Sequence, residues 1–281
     1  GLTIVAFGTS SPELAVGVYG SLSGSPEITI GNAMGSNICN ILLILGASSA
    51  VFPLTILQNT VKKEIPFAML GSVLLFVMLR DTVFVGEDQT DMVSVSEGIT
   101  LLLFFCIFMY YLVSLAKRAQ DIESLQVRPL NKYLQIVYIV GGLALLVIGG
   151  RILVDNAVKL ALSAGMTEAM VALTIVAIGT SVPELATSII AAYKKNAAIA
   201  VGNVVGSNIF NSFFVLGSSA VIKPLPIGTI SNVDLAMNVI AHLLLFITGF
   251  IIGKNRIQRL EGIVFLLAYA MYMGYLIKTN L

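Results

Sequence analysis

One stretch of this chain is written twice. Leu2 to Gly46, LTIVAFGTSSPELA…GNAMGSNICNILLILG, returns as Leu173 to Gly217, LTIVAIGTSVPELA…GNVVGSNIFNSFFVLG, with no gap, so that Glu13 pairs with Glu184 and Asn40 with Asn211. Chance similarity between two apolar stretches would match Leu with Ile. It would not place GTS, PEL, GN and GSNI in the same order twice, so the chain is built on an internal repeat and the repeat decides its architecture.

The medium of that architecture follows from the residues around the repeat. Hydrophobic residues make up 57% of the chain and charged residues 11%. The apolar residues come in blocks near the ~20 residues that a bilayer core requires of a helix. Read between polar or Pro/Gly breaks, the blocks are 1–20, 28–51, 64–80, 98–115, 134–154, 169–191, 199–221, 233–253 and 260–277. The reading is an all-α, polytopic membrane protein with nine spans. A net charge of +1, with basic residues scattered among loops, gives no footprint for nucleic acid. Cys39 and Cys106 each sit inside an apolar block, without the spacing of a metal pair.

Lys and Arg set the orientation, because short cytoplasmic loops are enriched in them. The linker 116–133 carries Lys117, Arg118, Arg128 and Lys132 and is assigned to the inside. Counting crossings from there places Lys62 and Lys63, Lys194 and Lys195, and Lys254, Arg256 and Arg259 on the same side. The acidic loop with Asp81, Glu87, Asp88 and Asp91 falls on the other. Five spans separate the start of one copy from the start of the next, so the copies enter the membrane from opposite sides. Inverted repeats are a transporter device, with a site near the midplane exposed alternately to each side. The units are residues 1–115, a cytoplasmic linker 116–133, and residues 134–281. Span 134–154 precedes the second copy and has no partner before the first, so the repeat predicts a further helix ahead of Gly1, the first of ten.

Within the spans, Glu13 and Glu184 are the acidic residues that lie in the body of apolar sequence, away from both ends. Ionisable groups at such depth are costly and usually functional. Each follows a proline, in GTSSPE and GTSVPE, and proline removes an N–H and clashes with the carbonyl four residues earlier. The helix breaks there, freeing carbonyls around Gly8 and Thr9 and around Gly179 and Thr180. Freed carbonyls beside a carboxylate form an oxygen-rich cage suited to a hard cation such as Ca²⁺, which takes about 6–8 oxygens. A simple proline kink with a protonated carboxyl is disfavoured because the feature appears in both copies.

The second half of each copy, GNAMGSNICN and GNVVGSNIFN, combines small residues with amides and hydroxyls. Ser36 and Asn40 share a helix face, as do Ser207 and Asn211, and that face can add neutral oxygens to the cage. Asn32, Asn37, Asn203 and Asn208 serve either interhelical packing or coordination. His242 reads as a hydrogen-bonded structural residue, Asp234 as a helix-start residue facing the dipole, and Arg151 with Asp155 as an interfacial i,i+4 pair.

These motifs resemble the sodium/calcium exchanger branch of the cation/Ca²⁺ antiporters, whose paired repeats carry GTS-x-PE and GN-x-x-GSN. The resemblance covers essentially the whole chain. It implies secondary active exchange of Ca²⁺ for Na⁺ by alternating access, with no cofactor, in the plasma (inner) membrane of a prokaryote. It also implies that 134–154 is one of two long tilted helices that slide at the front of the bundle. By the same resemblance Glu13 and Glu184 are the bridging Ca²⁺ ligands, with Thr9 and Thr180 supplying backbone oxygens. Ser10, Ser181, Ser36, Ser207, Asn40 and Asn211 complete the Na⁺ and Ca²⁺ shells, and the carbonyls of Ala6 and Ala177 help to hold Na⁺.

Asn211 stands where several prokaryotic and K⁺-dependent relatives have Asp. GNAMGS and GNVVGS lack the glutamate that the proton-coupled branch carries soon after its GN. The alternatives are therefore Ca²⁺/H⁺ or K⁺-dependent exchange. From other classes, a cation channel or an ion-sensing scaffold is disfavoured by carboxylates on broken helices and the lack of a filter-like loop. An enzyme is the least favoured reading because no nucleophile, base and orienting group assemble from these motifs.

Overall fold

The computed structural model describes residues 2–84, 86, 90–120, 131–163, 165–194, 196–252 and 255–280. Each of the nine apolar blocks forms one helix or a pair of helices. The first copy begins with α1 (Leu2–Thr9) and α2 (Ser11–Ser23), followed by α3 (Pro26–Val51). Next come α4 (Ile65–Met78), α5 (Val95–Gln120) and α6 (Lys132–Ser163). The second copy opens with α7 (Glu168–Thr180) and α8 (Val182–Tyr193), and continues through α9 (Ala197–Ile222), α10 (Asn232–Ile252) and α11 (Arg259–Asn280).

Among the described residues, five helices (α3, α5, α9, α10 and α11) are long and apolar enough to cross a bilayer unbroken. The pair α7 and α8 adds a sixth crossing bent by 45°. The other three blocks depart from this measure for local reasons. Ser10 interrupts the first, and the helix α4 of the third has 14 residues because the turn before it, Thr60–Glu64, is a π-helix carrying Lys62 and Lys63. Block 134–154 lies toward the start of α6, whose 32 residues rise about 48 Å at 1.5 Å per residue, beyond the ~30 Å hydrocarbon core. The protein is an integral membrane protein of the all-α class. The side chains of Glu87, Asp88, Arg118, Arg128, Lys132, Arg151, Asp155, Lys195 and Lys254 lie outside the described residues.

Short ladders tie the loops at each end. Strand β1 (Leu54–Thr55) pairs antiparallel with β4 (Arg256–Ile257), and β2 (Met92–Val93) pairs with β3 (Leu225–Pro226). Thr229 donates from its backbone N and from Oγ1 to the carboxylate of Glu27, at 3.1 and 2.7 Å. Counting crossings places segments 52–59 and 255–258 on one side of the membrane and segments 24–27, 90–94 and 223–231 on the other. The two ladders and the Glu27–Thr229 contacts respect that division.

The copies interlock reciprocally. Helix α1 of the first packs on α9 of the second, and α7 of the second packs on α3 of the first. Close approach needs glycine where α3 meets α7: a Cβ on Gly35 would lie 2.7 Å from the carbonyl oxygen of Leu173 and 2.8 Å from its Cα. Its repeat partner Gly206 faces Ala6, whose Cβ would be 3.1 Å away. An apolar core surrounds this crossing, including Met34, Ile38, Leu42, Val204, Ile209 and Phe213, all fully buried. Phe7, Phe210 and Phe214 interlock with Phe105 of α5 beside it.

Candidate ion-binding site

Two helix breaks of matching shape face each other at the centre of the bundle. Ser10 has φ −85° and ψ 9°, and Ser181 has φ −84° and ψ 3°, the sparsely populated bridge region in both cases. Pro12 and Pro183 fall in the first turn of the helix that restarts, where the missing N–H costs nothing. Glu13 and Glu184 follow in that same turn, so each carboxylate sits at the positive end of a helix dipole. Both residues are completely buried, and they lie within electrostatic reach of one another.

Neutral oxygens from both copies close around them. Ser10 Oγ and Ser207 Oγ each donate to Glu184 Oε1 at 3.2 Å, one from either copy. Thr9 Oγ1 reaches Asn203 Oδ1 at 3.4 Å, and its repeat partner Thr180 Oγ1 reaches Asn32 Oδ1 at 3.0 Å. The two threonines also donate to the carbonyls of Ala6 and Ala177, each at 3.3 Å. Ser36 Oγ lies 3.2 Å from Thr180 Oγ1 and 3.5 Å from the Ala177 carbonyl. Asn40 Nδ2 donates to Asn208 Oδ1 at 3.0 Å, and Asn211 Nδ2 donates to Asn37 Oδ1 at 3.3 Å, again a reciprocal pair.

Several buried oxygens here have no protein partner among the described residues. Both carboxylate oxygens of Glu13 are of this kind, as are Glu184 Oε2, Asn40 Oδ1, Asn211 Oδ1 and Ser181 Oγ. Unsatisfied buried acceptors are rare and costly, about 1–3 kcal/mol each, so their concentration makes this the candidate place for a positive ligand, with two unpartnered donors, Asn32 Nδ2 and Asn203 Nδ2, beside them. The described residues hold no cluster of three or more His, Cys, Asp or Glu side chains that could bind a metal. The donor set is therefore two carboxylates among hydroxyl, amide and carbonyl oxygens, which suits hard cations over zinc or copper.

All twelve residues singled out in the sequence are brought to this one region: Ala6, Thr9, Ser10, Glu13, Ser36 and Asn40 from one copy, Ala177, Thr180, Ser181, Glu184, Ser207 and Asn211 from the other. Each is buried. Asn32, Asn37, Asn203 and Asn208, left between packing and coordination, are seen to hold Thr180, Asn211, Thr9 and Asn40 through their side chains. Two features carry no signal in the sequence. Helix α3 widens to a π-helix over Cys39–Leu45 and α9 over Phe210–Val215, which places Asn40 and Asn211 at matched helical defects. In addition, Asp234 not only caps α10 with Ser231 but accepts a 2.8 Å bond from Tyr272 of α11.

Two interlocked copies of a membrane-spanning unit, joined at a buried pair of carboxylates on broken helices, define a polytopic membrane transporter and not an enzyme. The family model described as sodium/calcium exchanger protein matches residues 1–114 and 134–278. The chain belongs to the sodium/calcium exchanger family. Among curated relatives it is 36% identical to the putative antiporter CaxA of Alkalimonas amylolytica, covering 99% of this chain and 88% of that protein. It is 31% identical to the sodium/calcium exchanger MaX1 of Methanosarcina acetivorans, covering 97% and 87%. A solved structure of the sodium-calcium exchanger NCX_Mj, soaked with Na⁺ and Ca²⁺, superposes with a TM-score of 0.74 at 32% identity, covering 97% of this chain and 84% of that one.

Proposed function

We propose that this protein exchanges Ca²⁺ for Na⁺ across the plasma (inner) membrane of a prokaryote by alternating access, at the site between Glu13 and Glu184. One observation carries the reading: two fully buried carboxylates occupy facing helix breaks, and Ser10 of one copy bonds Glu184 of the other. Both copies must therefore contribute to any ion held there. The twelve residues named above supply the oxygens, carboxylates first.

The exchange mechanism follows from charge. Two ionised glutamates carry −2, which one Ca²⁺ or two Na⁺ can balance. An uncompensated pair in a low-dielectric interior carries a desolvation cost that opposes its crossing. Unlike ions therefore compete for the same charges, and the loaded forms are the ones that change sides. Units 1–115 and 134–281, related by inversion and joined by a cytoplasmic linker at 116–133, give the two faces of the cycle equivalent walls. Interruption of α1/α2 and α7/α8 supports this, since non-helical backbone at membrane depth is tolerated where it lines a cavity.

The test is uptake of labelled Ca²⁺ into vesicles containing the purified protein under separately imposed Na⁺, K⁺ and pH gradients. Uptake driven by an outward Na⁺ gradient alone is the expected result. Uptake that follows the pH gradient, or that requires K⁺, would replace this reading with proton-coupled or K⁺-dependent exchange, and single-channel currents would replace it with conduction.

A further inference from the structure

Behind the site, the amide of Asn40 is held by a chain of hydrogen bonds whose direction is fixed at its far end. His242 of α10 is buried, and its Nδ1 lies 2.8 Å from the backbone carbonyl oxygen of Asn238. A carbonyl can only accept, so Nδ1 carries the hydrogen and Nε2 of the neutral ring presents a lone pair. Asn208 Nδ2, 3.3 Å from Nε2, is then the donor, and its second hydrogen goes to the Asn37 carbonyl at 3.3 Å. With both amide hydrogens engaged, Asn208 Oδ1 is turned to Asn40 and accepts from Nδ2 at 3.0 Å. Asn40 Oδ1 is left facing away from this chain, buried and without a protein partner among the described residues.

We propose that His242 is a positioning residue that acts through Asn208 to keep the oxygen of Asn40, and not its nitrogen, turned toward the ion. An amide looks alike from either end in shape but not in charge. Reversing Asn40 would put two N–H donors where a cation needs an acceptor. In the other copy, among the described residues, the chain ends differently: Asn211 donates to Asn37 Oδ1, and Asn37 Nδ2 ends on Ser212 Oγ at 2.9 Å, a hydroxyl able to donate or accept. The direction is thus imposed on Asn40 by a ring nitrogen and two carbonyls, and on Asn211 by a group that can reverse. The inference rests on the proposed role of Asn40 as an ion ligand.

The experiment is a double-mutant cycle on the whole protein in detergent, with equilibrium binding of ⁴⁵Ca²⁺ as the readout and thermal melting as the check of folding. His242→Phe keeps the ring volume and removes the acceptor. It is expected to weaken Ca²⁺ binding about three- to tenfold, the range of one lost buried hydrogen bond, and to add little to Asn40→Ala. His242→Gln can place a carbonyl oxygen near the Nε2 position and is expected to bind within about twofold of the parent, since an amide oxygen accepts as the ring nitrogen does. Full additivity of His242→Phe with Asn40→Ala, or unchanged binding in His242→Phe, overturns the proposal. Should the Phe variant fail to fold, a folded Gln variant as weak as Asn40→Ala overturns it, and one that binds like the parent upholds it. Glu13→Gln measured alongside separates the two levels: if it too binds Ca²⁺ normally, the site itself is misplaced.

Discussion

Ser10 Oγ lies 3.2 Å from Glu184 Oε1, although one belongs to the first copy of the repeat and the other to the second. That bond makes the site a joint property of both copies, and it sets Glu184 apart from Glu13. Within hydrogen-bonding geometry Glu184 is met by two hydroxyls and Glu13 by none among the described residues, the Thr180 hydroxyl acting on Glu13 only from farther off.

Neutralising either carboxylate should therefore stop exchange, for different proximate reasons. Glu13→Gln removes a charge that only the ion balances, and Glu184→Gln also leaves the two serine hydroxyls facing an amide. Each variant should lose at least about a hundredfold in Na⁺-driven Ca²⁺ uptake, because a hard cation loses a charged ligand in a dry site, about 3 kcal/mol or more. Vesicle flux with folding checked by gel filtration decides. Uptake at the parent rate in either variant would remove that residue from the site.

The helix crossing under the site should tolerate no added atom. Gly35→Ala brings a methyl group to within 2.7 Å of the Leu173 carbonyl oxygen and 2.8 Å of Leu173 Cα, backbone atoms that cannot rotate away. Overpacking of this kind costs about 1–3 kcal/mol. Thermal melting should show a lower midpoint for Gly35→Ala than for Gly206→Ala, whose nearest neighbour is a Cβ at 3.1 Å. Equal midpoints would mean that α3 and α7 shift apart easily.

Much of the fold and of the site was legible because its signals are local. The apolar blocks, the prolines ahead of Glu13 and Glu184, and the repeat itself are all written in contiguous residues, whereas the meeting of the two copies that gathers the twelve candidate residues is set by packing and not by their spacing. What stayed hidden depends on pairs distant in sequence. Nothing near Asn40 announces Asn208 as its partner, and nothing near Asp234 announces Tyr272. The π-helical turns at Cys39–Leu45 and Phe210–Val215 are also silent, because one extra residue in a turn has no composition of its own and is stabilised by the packing around it. Span lengths were read less well where lysines and a π-turn share the start of α4.

The loop ahead of α5 carries a pH-dependent tie. Asp91 Oδ1 accepts from the backbone N and from Oγ1 of Thr82, both at 2.8 Å, and Oδ2 accepts from Arg80 Nη1 at 2.8 Å. Partial burial pushes the Asp91 carboxyl up, but the Thr82 hydrogen bonds and the Arg80 guanidinium outweigh it and hold the group below the usual aspartate range. A carboxyl lowered in the folded state stabilises fully above its unfolded pKa of about 3.9, and the contribution disappears as pH falls through the lower folded value. Melting midpoints of the parent and Asp91→Asn should therefore differ at pH 7 and converge as pH falls below about 3.9 to the still lower pH at which the Asp91 carboxyl of the folded protein takes up its proton. A constant difference down to that pH would show that the tie is not ionic.

Loop pairing fixes which loops share a side, and the Lys and Arg residues assign the cytoplasmic one. Leu54 and Thr55 join Ile257 and Arg256 at the end assigned to the cytoplasm, and Met92 and Val93 join Pro226 and Leu225 at the other. In a variant lacking Cys39 and Cys106, a cysteine at Thr90 should react with a membrane-impermeant maleimide added to intact cells. Cysteines at Lys62 and Lys194 should react only after the membrane is opened. Labelling of all three from outside would contradict the inverted arrangement.

Exchange should not need K⁺, because the position that would add a third acid is neutral. Asn211 is buried at the start of the π-helical turn of α9, donates to Asn37, and leaves Oδ1 free of protein partners among the described residues. It repeats the chemistry of Asn40 in the other copy. An aspartate there would bring the cage to −3, and one Ca²⁺ or two Na⁺ would no longer neutralise it. Another cation or a proton would have to join before the loaded site could cross. With an amide, oxygen is supplied without charge and the two glutamates set the count. Replacing all K⁺ with choline should leave Na⁺-driven Ca²⁺ uptake by the parent unchanged, while Asn211→Asp should transport more slowly and become sensitive to pH or to added K⁺. A parent that stops when K⁺ is withdrawn would show that charge at Asn211 does not decide the coupling ion.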